Sequence, residues 1–105
     1  MKDLIFIILL TPFIFFSCKK NTKDTTPPVI TLIGSAAVDV NTSTSYTDVG
    51  ATAKDDVDGD NTSSIVVNNS VNTNVNNTYY VTYNVKDKAG NAATEVKRKV
   101  VVFNF

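Results

Sequence analysis

Tyr79-Tyr80-Val81-Thr82-Tyr83-Asn84-Val85 is the cleanest period-two stretch of the chain. Tyr79, Val81, Tyr83 and Val85 would face one way and Tyr80, Thr82, Asn84 and Lys86 the other, the alternation of a strand with one face on a core and one in water. Downstream, Thr94 to Phe103 repeats the pattern, with Val96, Val100 and Val102 on one face and Glu95, Lys97 and Lys99 on the other. Arg98 falls on the inner parity. A charged head is expected to escape a core, so Arg98 is expected at a sheet edge with its stem packed and its guanidinium in water.

Upstream of this pair the chain has no useful helical period and is dense in Val, Ile, Thr and Tyr, broken by Asn, Gly, Asp and Ser clusters. That composition predicts further strands near Val29 to Ile33, Ala37 to Val40, Tyr46 to Thr47, Ala51 to Lys54 and Ser64 to Asn68. With Tyr79 to Lys86 and Thr94 to Phe103, about seven short strands at this spacing predict an all-β sandwich with Greek-key connections. Gly34-Ser35, Asp58-Gly59, Asn76-Asn77 and Ala89-Gly90-Asn91 offer tight turns, because Gly and Asn take positive φ at little steric cost.

The chain has 105 residues, ten basic and ten acidic, for a formal charge of zero. About 75 residues, Val29 to Phe103, are available for a core, near the lower size for a domain without disulfides or metals. The balance of charge implies no nucleic acid or other polyanion as partner. His and Trp are absent and there is one Cys, so the usual nucleophile, base and transition-metal ligands are mostly missing. An enzyme is not expected.

Met1 to Ser17 opens with Lys2, runs apolar from Leu4 to Phe16 apart from Thr11 and Pro12, and ends at Ser17-Cys18. The run is too short to span a bilayer, which takes about 20 apolar residues, and reads as a secretory signal. An uncleaved signal anchor is the competing reading, and Cys18 decides between them. A lone Cys after a small residue at the end of an apolar run resembles the lipobox of bacterial lipoproteins, although Phe15 stands where that motif prefers Leu. The resemblance implies a diacylglyceryl thioether on Cys18, cleavage before it and acylation of the new amine. Two or three acyl chains, at about 0.8 kcal/mol per buried CH₂, would anchor a small domain stably to the membrane. Residues 18 to 27, rich in Lys, Asn, Thr and Asp, then read as a flexible tether, in which Lys19 and Lys20 either meet anionic headgroups or are simply solvated. The domain itself is assigned to residues 28 to 105.

Three blocks carry a second resemblance: Pro27-Pro28-Val29-Ile30-Thr31-Leu32-Ile33-Gly34; Tyr46-Thr47-Asp48-Val49-Gly50-Ala51-Thr52-Ala53-Lys54-Asp55-Asp56-Val57-Asp58-Gly59-Asp60; and Tyr79 through Asn91. In that order they resemble the bacterial surface immunoglobulin-like domain found in tandem in envelope proteins and in pesticidal crystal proteins. The resemblance implies an immunoglobulin-like sandwich and a role in adhesion, spacing or carbohydrate-associated binding, with no catalytic motif. Departures are Val49 for a frequent Pro, Asn61 for a buried Ile or Leu, and Asn77 for a Gly whose left-handed turn Asn can also make. Asn61 is expected to weaken one core contact.

Asp55, Asp56, Asp58 and Asp60 form the one dense acidic cluster. Carboxylates at alternating positions around a Gly suit Ca²⁺, which takes six to eight oxygens. The closing Glu of an EF-hand loop and its flanking helices are absent, so that motif does not apply. The competing reading is that these Asp side chains cap turn amides, as in Asx-turns. Asp48 and Asp87 would add ligands only if their loops converge. Tyr80 is the aromatic expected on the solvent face of a central strand, able to stack on a sugar ring or a partner protein, or else to cover a neighbouring strand. Phe103 and Phe105 sit at the end of the last strand.

These features lead to a non-enzymatic, lipid-anchored envelope module that binds or spaces at the cell surface, with carbohydrate or an envelope protein as partner. The alternative is an accessory subunit of an envelope complex, pairing through an exposed edge of the C-terminal strand. Hydrolysis by the carboxylates of Asp55 to Asp60 is the least supported, since one turn offers no concave site.

Overall fold

The computed structural model describes residues 23–105. The expected signal sequence, Cys18 as the expected lipidation site and the Lys19-Lys20 pair lie outside the described residues. The elements run β1 (Val29–Leu32), β2 (Ala37–Asn41), β3 (Ala51–Asp55), β4 (Gly59–Asp60), a 3₁₀ turn (Thr62–Ser64), β5 (Val66–Asn68), β6 (Asn77–Asn84) and β7 (Val96–Phe103). Two sheets face each other: a three-stranded one ordered β1-β3-β4 and a four-stranded one ordered β2-β7-β6-β5. This is the immunoglobulin-like sandwich.

The alternation in β6 and β7 builds the middle of the larger sheet. The strands pair antiparallel from Asn77 opposite Val102 to Tyr83 opposite Val96, which sets their inward side chains on one face. Val81, Tyr83, Val85, Val100 and Val102 are buried there, against Ile30, Ala51 and Ala53 of the smaller sheet and Val40 of β2. Small Ala51 and Ala53 on one sheet and the bulky Tyr83 on the other share this core.

Four expectations need correction. First, β7 is not an edge: β2 pairs parallel to it from Ala37 opposite Lys99 to Asn41 opposite Phe103, while β6 fills its other side. The edges of this sheet are β2 and β5. Second, residues 46 and 47 form no strand. Tyr46 and Asp48 are drawn instead into side-chain bonds, with the Tyr46 hydroxyl donating to Asp48 Oδ1 at 2.6 Å and Gly50 N donating to Asp48 Oδ2 at 3.0 Å. Third, Asn77 makes no left-handed turn but begins β6, and the positive φ at that end of the sandwich falls on Ser43 (65°). Gly34 does take positive φ (79°), where the chain leaves one sheet for the other.

The largest departure is Arg98. It is fully buried rather than at an edge. Its Nη1 pairs with Asp48 Oδ1 at 2.7 Å and donates to the Tyr83 hydroxyl at 2.7 Å. Its Nε donates to Ser35 O at 2.8 Å and its Nη2 to Ile33 O and Gly50 O. The two carbonyls flanking Gly34 thus both end on one guanidinium. Inner parity put the Arg98 stem in the core, and the sheet switch at residues 33 to 35 supplied acceptors deep enough that the head did not have to leave it.

The long axis of the sandwich separates two ends. At one lie the segment leading into β1, the β3–β4 turn and the loop after β6, joined by Lys88 N donating to Asp58 Oδ2 (2.7 Å) and Asn91 Nδ2 donating to Asp24 O (2.9 Å). At the other lie residues 41 to 44, 72 to 76 and 103 to 105, joined by Thr42 N to Phe103 O, Ser43 N to Thr73 O and Phe105 N to Asn41 Oδ1.

Candidate functional site

The acidic end is assembled from three separate segments. Asp55 closes β3, and its Oδ2 accepts from Val57 N (3.0 Å) and Asp58 N (2.9 Å), an Asx-type cap that lets the chain reverse into β4. Asp58 is held by the Lys88 amide across the end. Asp24 precedes β1, and its Oδ1 accepts from Thr26 N at 3.1 Å. Carboxylate oxygens of Asp24, Asp55 and Asp58 all lie within 4.8 Å of one another. Asp87, buried in the loop after β6, turns both oxygens to Asn91, accepting from its N at 2.8 Å and its Nδ2 at 2.9 Å.

The electrostatics follow from this crowding. Burial pushes the Asp24 carboxyl upward, against the Thr26 amide that lowers it, and the neighbouring Asp87 and Asp55 add to the rise. Burial acts the same way on Asp87, but the side chain and backbone amide of Asn91 outweigh it and hold Asp87 below the usual carboxylate range. Among the described residues the ion pair formed is Arg98–Asp48, so no Lys or Arg side chain neutralises the acidic end at contact distance.

Of the four sequence candidates, then, Asp55 and Asp58 come together and Asp56 and Asp60 do not. Asp56 is exposed. Asp60 points away into its own turn, where the Thr62 hydroxyl and amide lower its pKa and Thr62 N donates to its Oδ1 at 2.9 Å. Asp24 takes the place of these two, from a segment whose composition reads as tether. A faint signal is present in the sequence: Asp24-Thr25-Thr26 can form an Asx-turn just before Pro27.

Away from that end, Asp48 sits at the hub of the buried Arg98 network. Burial works against its charge, but hydrogen bonds from Tyr46, Tyr83 and Arg98 and the Arg98 charge outweigh it, and its pKa is lowered. Burial and the adjacent Asp48 push the Tyr46 hydroxyl up to about 12 and raise that of Tyr83 further. All of these donors and acceptors are spent inside the core. The network ties the larger sheet, through Arg98 and Tyr83, to the segments around residues 33 to 35 and 48 to 50.

Tyr80 lies on the outer face of β6, half exposed at 50%. Lys97 Nζ stands 5.6 Å from its ring centroid, a cation–π contact that presents one ring face while covering the other. Phe103 and Phe105 pack on each other at the far tip, with centroids 4.7 Å apart. Beside β5, a groove of about 350 Å³ is lined by Ser64, Val66, Asn84, Val85, Lys86, Ala92 and Ala93.

The match to known proteins agrees with this architecture. Residues 30–102 match the family model described as bacterial surface protein, Ig-like domain. The crystal structure of the lipoprotein BT2262 from Bacteroides thetaiotaomicron superposes with a TM-score of 0.63 at 22% identity, over 74% of this chain and 39% of that one. The chain thus spans about two fifths of that protein, and the likeness is one of fold. No curated protein matches.

Proposed function

The chain belongs to the bacterial surface Ig-like domain family, and from that premise we propose that it is a non-enzymatic envelope lipoprotein, anchored through Cys18, whose sandwich carries a binding or spacing surface away from the membrane. The observation that supports this most is the separation of the two ends. The segment that follows Cys18 joins the sandwich at the acidic end, through Asn91 Nδ2 to Asp24 O, whereas the loops around 41 to 44 and 72 to 76 gather at the opposite end. Loops on a rigid sandwich are where such domains recognise partners. Tyr80, with one ring face backed by Lys97, is the side chain best suited to stack on a sugar.

The experiment is protease shaving of intact cells carrying a C-terminal tag, with a periplasmic protein as internal control. Loss of the tag with the control intact is the expected result, and survival of the tag would refute a cell-surface position. Cys18→Ser is expected to release the protein from the membrane fraction, and its retention there would refute lipid anchoring.

A second reading has its own observation. Among the described residues β5 pairs with β6 alone, all three of its residues are exposed, and Val66 lines the apolar groove, so this edge can accept a strand from another envelope protein. A stoichiometric crosslinked partner lost on Val67→Pro would favour that reading over a free binding module.

A further inference from the structure

Asp24, Asp55 and Asp58 each have one oxygen pinned and one oxygen spare. Asp24 Oδ1 takes the Thr26 amide, Asp55 Oδ2 takes two turn amides and Asp58 Oδ2 takes the Lys88 amide. Asp24 Oδ2 and Asp55 Oδ1 are buried and have no hydrogen-bond partner among the described residues, and Asp55 is only 7% exposed. A buried carboxylate oxygen without a partner is unusual. Two of them in a cluster of three carboxylates, with no cationic side chain at contact distance among the described residues, form a site suited to a positive charge.

We propose that Asp24, Asp55 and Asp58 bind one Ca²⁺ ion, each through a single oxygen, and that this ion clips the segment ahead of β1 to the base of the sandwich. The dimensions agree. Oxygens on opposite sides of a Ca²⁺ at about 2.4 Å are about 4.8 Å apart, and the three ligand atoms lie within 4.8 Å of one another. Three oxygens leave room for water, and Asp24 and Asp58 are half-buried, so the ion has a route to solvent. Ca²⁺ tolerates such an irregular, part-hydrated shell better than Mg²⁺, which demands an octahedron at about 2.0 to 2.1 Å.

Neighbouring residues position these ligands. Asp87 commits both oxygens to Asn91, and Asn91 in turn donates to the Asp24 carbonyl, so the loop after β6 fixes where Asp24 stands. The orientation that follows rests on lipidation of Cys18, whereas the ion site does not. With Asp24 clipped, the free chain from Cys18 spans at most about 20 Å, which holds the acidic end close to the membrane and the far tip away from it.

The test uses the full-length protein purified in detergent and stripped of metal, titrated calorimetrically with CaCl₂ and melted with and without it. Ca²⁺ is expected to raise the thermal midpoint, and chelator to reverse the rise. Asp24→Asn and Asp55→Asn are expected to weaken Kd at least tenfold, and Asp56→Asn and Asp60→Asn to leave it within twofold. Asp24 lies outside every strand, so Asp24→Asn reads the site without touching the fold. Trypsin cleavage after Lys23 should slow severalfold with Ca²⁺ in the wild type and not in Asp24→Asn. No heat and no midpoint change at millimolar Ca²⁺ would overturn the proposal, as would an unaltered Kd in Asp24→Asn. An equal response to Mg²⁺ would overturn the choice of ion. None of these readings depends on the anchor, so shaving and fractionation fail or succeed separately.

Discussion

Removing the Asp48 carboxylate is the most informative perturbation of this fold. Arg98 is fully buried and the Asp48 side chain is 9% exposed, so the 2.7 Å pair between them is not screened by solvent. Exposed pairs contribute roughly 0.2–1 kcal/mol. Deleting one partner of a buried pair costs about 3–5 kcal/mol, because the remaining charge stays buried without its counter-charge. Asp48→Ala also strands the hydroxyls of Tyr46 and Tyr83 and the Gly50 amide. For a domain of this size, whose total stability is roughly 4 to 12 kcal/mol, such a loss brings the midpoint down by roughly 12 to 25 °C even at 3 kcal/mol. Asp48→Asn, which keeps an acceptor and removes the charge, should lose about 2 kcal/mol. Urea denaturation of both variants beside Asp39→Ala, an exposed carboxylate on β2, provides the measurement. Asp39→Ala should stay within about 0.5 kcal/mol of the wild type. If Asp48→Ala falls within about 1 kcal/mol of that control, the pair does not hold the sheets together and the reasoning fails. A double-mutant cycle with Arg98→Met should give a coupling of about 2 kcal/mol or more, and a value near zero would refute it equally.

Four further outcomes are expected. The folded pKa of Asp48 is lowered, so its contribution is present above the unfolded value of about 3.9 and is lost as pH falls through the folded one; acid melts below pH of about 4 should show a drop that Asp48→Asn flattens. The Tyr46 pKa is raised from 10.0 to about 12, so its contribution is present below pH 10 and is lost as pH climbs toward 12; Tyr46→Phe should be less sensitive across that window, and an unchanged alkaline slope would count against the bond to Asp48. Asn61 is buried, caps no amide with its side chain and leaves its Nδ2 without a partner, so Asn61→Leu should stabilise by about 1 to 2 kcal/mol in denaturant melts, and destabilisation would show that the site cannot accept the larger apolar side chain. Tyr80→Ala should change stability by no more than about 1 kcal/mol yet abolish any glycan signal on an array, and a retained signal would move the binding surface elsewhere.

How much was legible in the chain differs sharply between backbone pattern and side-chain convergence. The alternations of residues 79 to 85 and 96 to 102 reported the strands, their inward faces and the sandwich, because period two is a property of consecutive residues and survives any choice of partner strand. The order of strands in the sheets was not legible: nothing local in Val96 to Phe103 says that β2 will lie parallel beside it and remove the edge. Asp55 and Asp58 were visible as a pair because one turn holds both. Asp24 was not, since a segment that cannot form a core by composition still docks when a single backbone carbonyl finds Asn91.

Arg98 marks the same boundary at its sharpest. Its parity, and so its inward direction, was written in the sequence, as were the all-β class and the family's three blocks. Whether an inward-pointing guanidinium can stay buried depends on acceptors at residues 33, 35, 48, 50 and 83 meeting at one point. That meeting is a product of two sheets closing on each other, and hydrogen bonds of a few ångströms between residues dozens of positions apart are set by the tertiary structure alone.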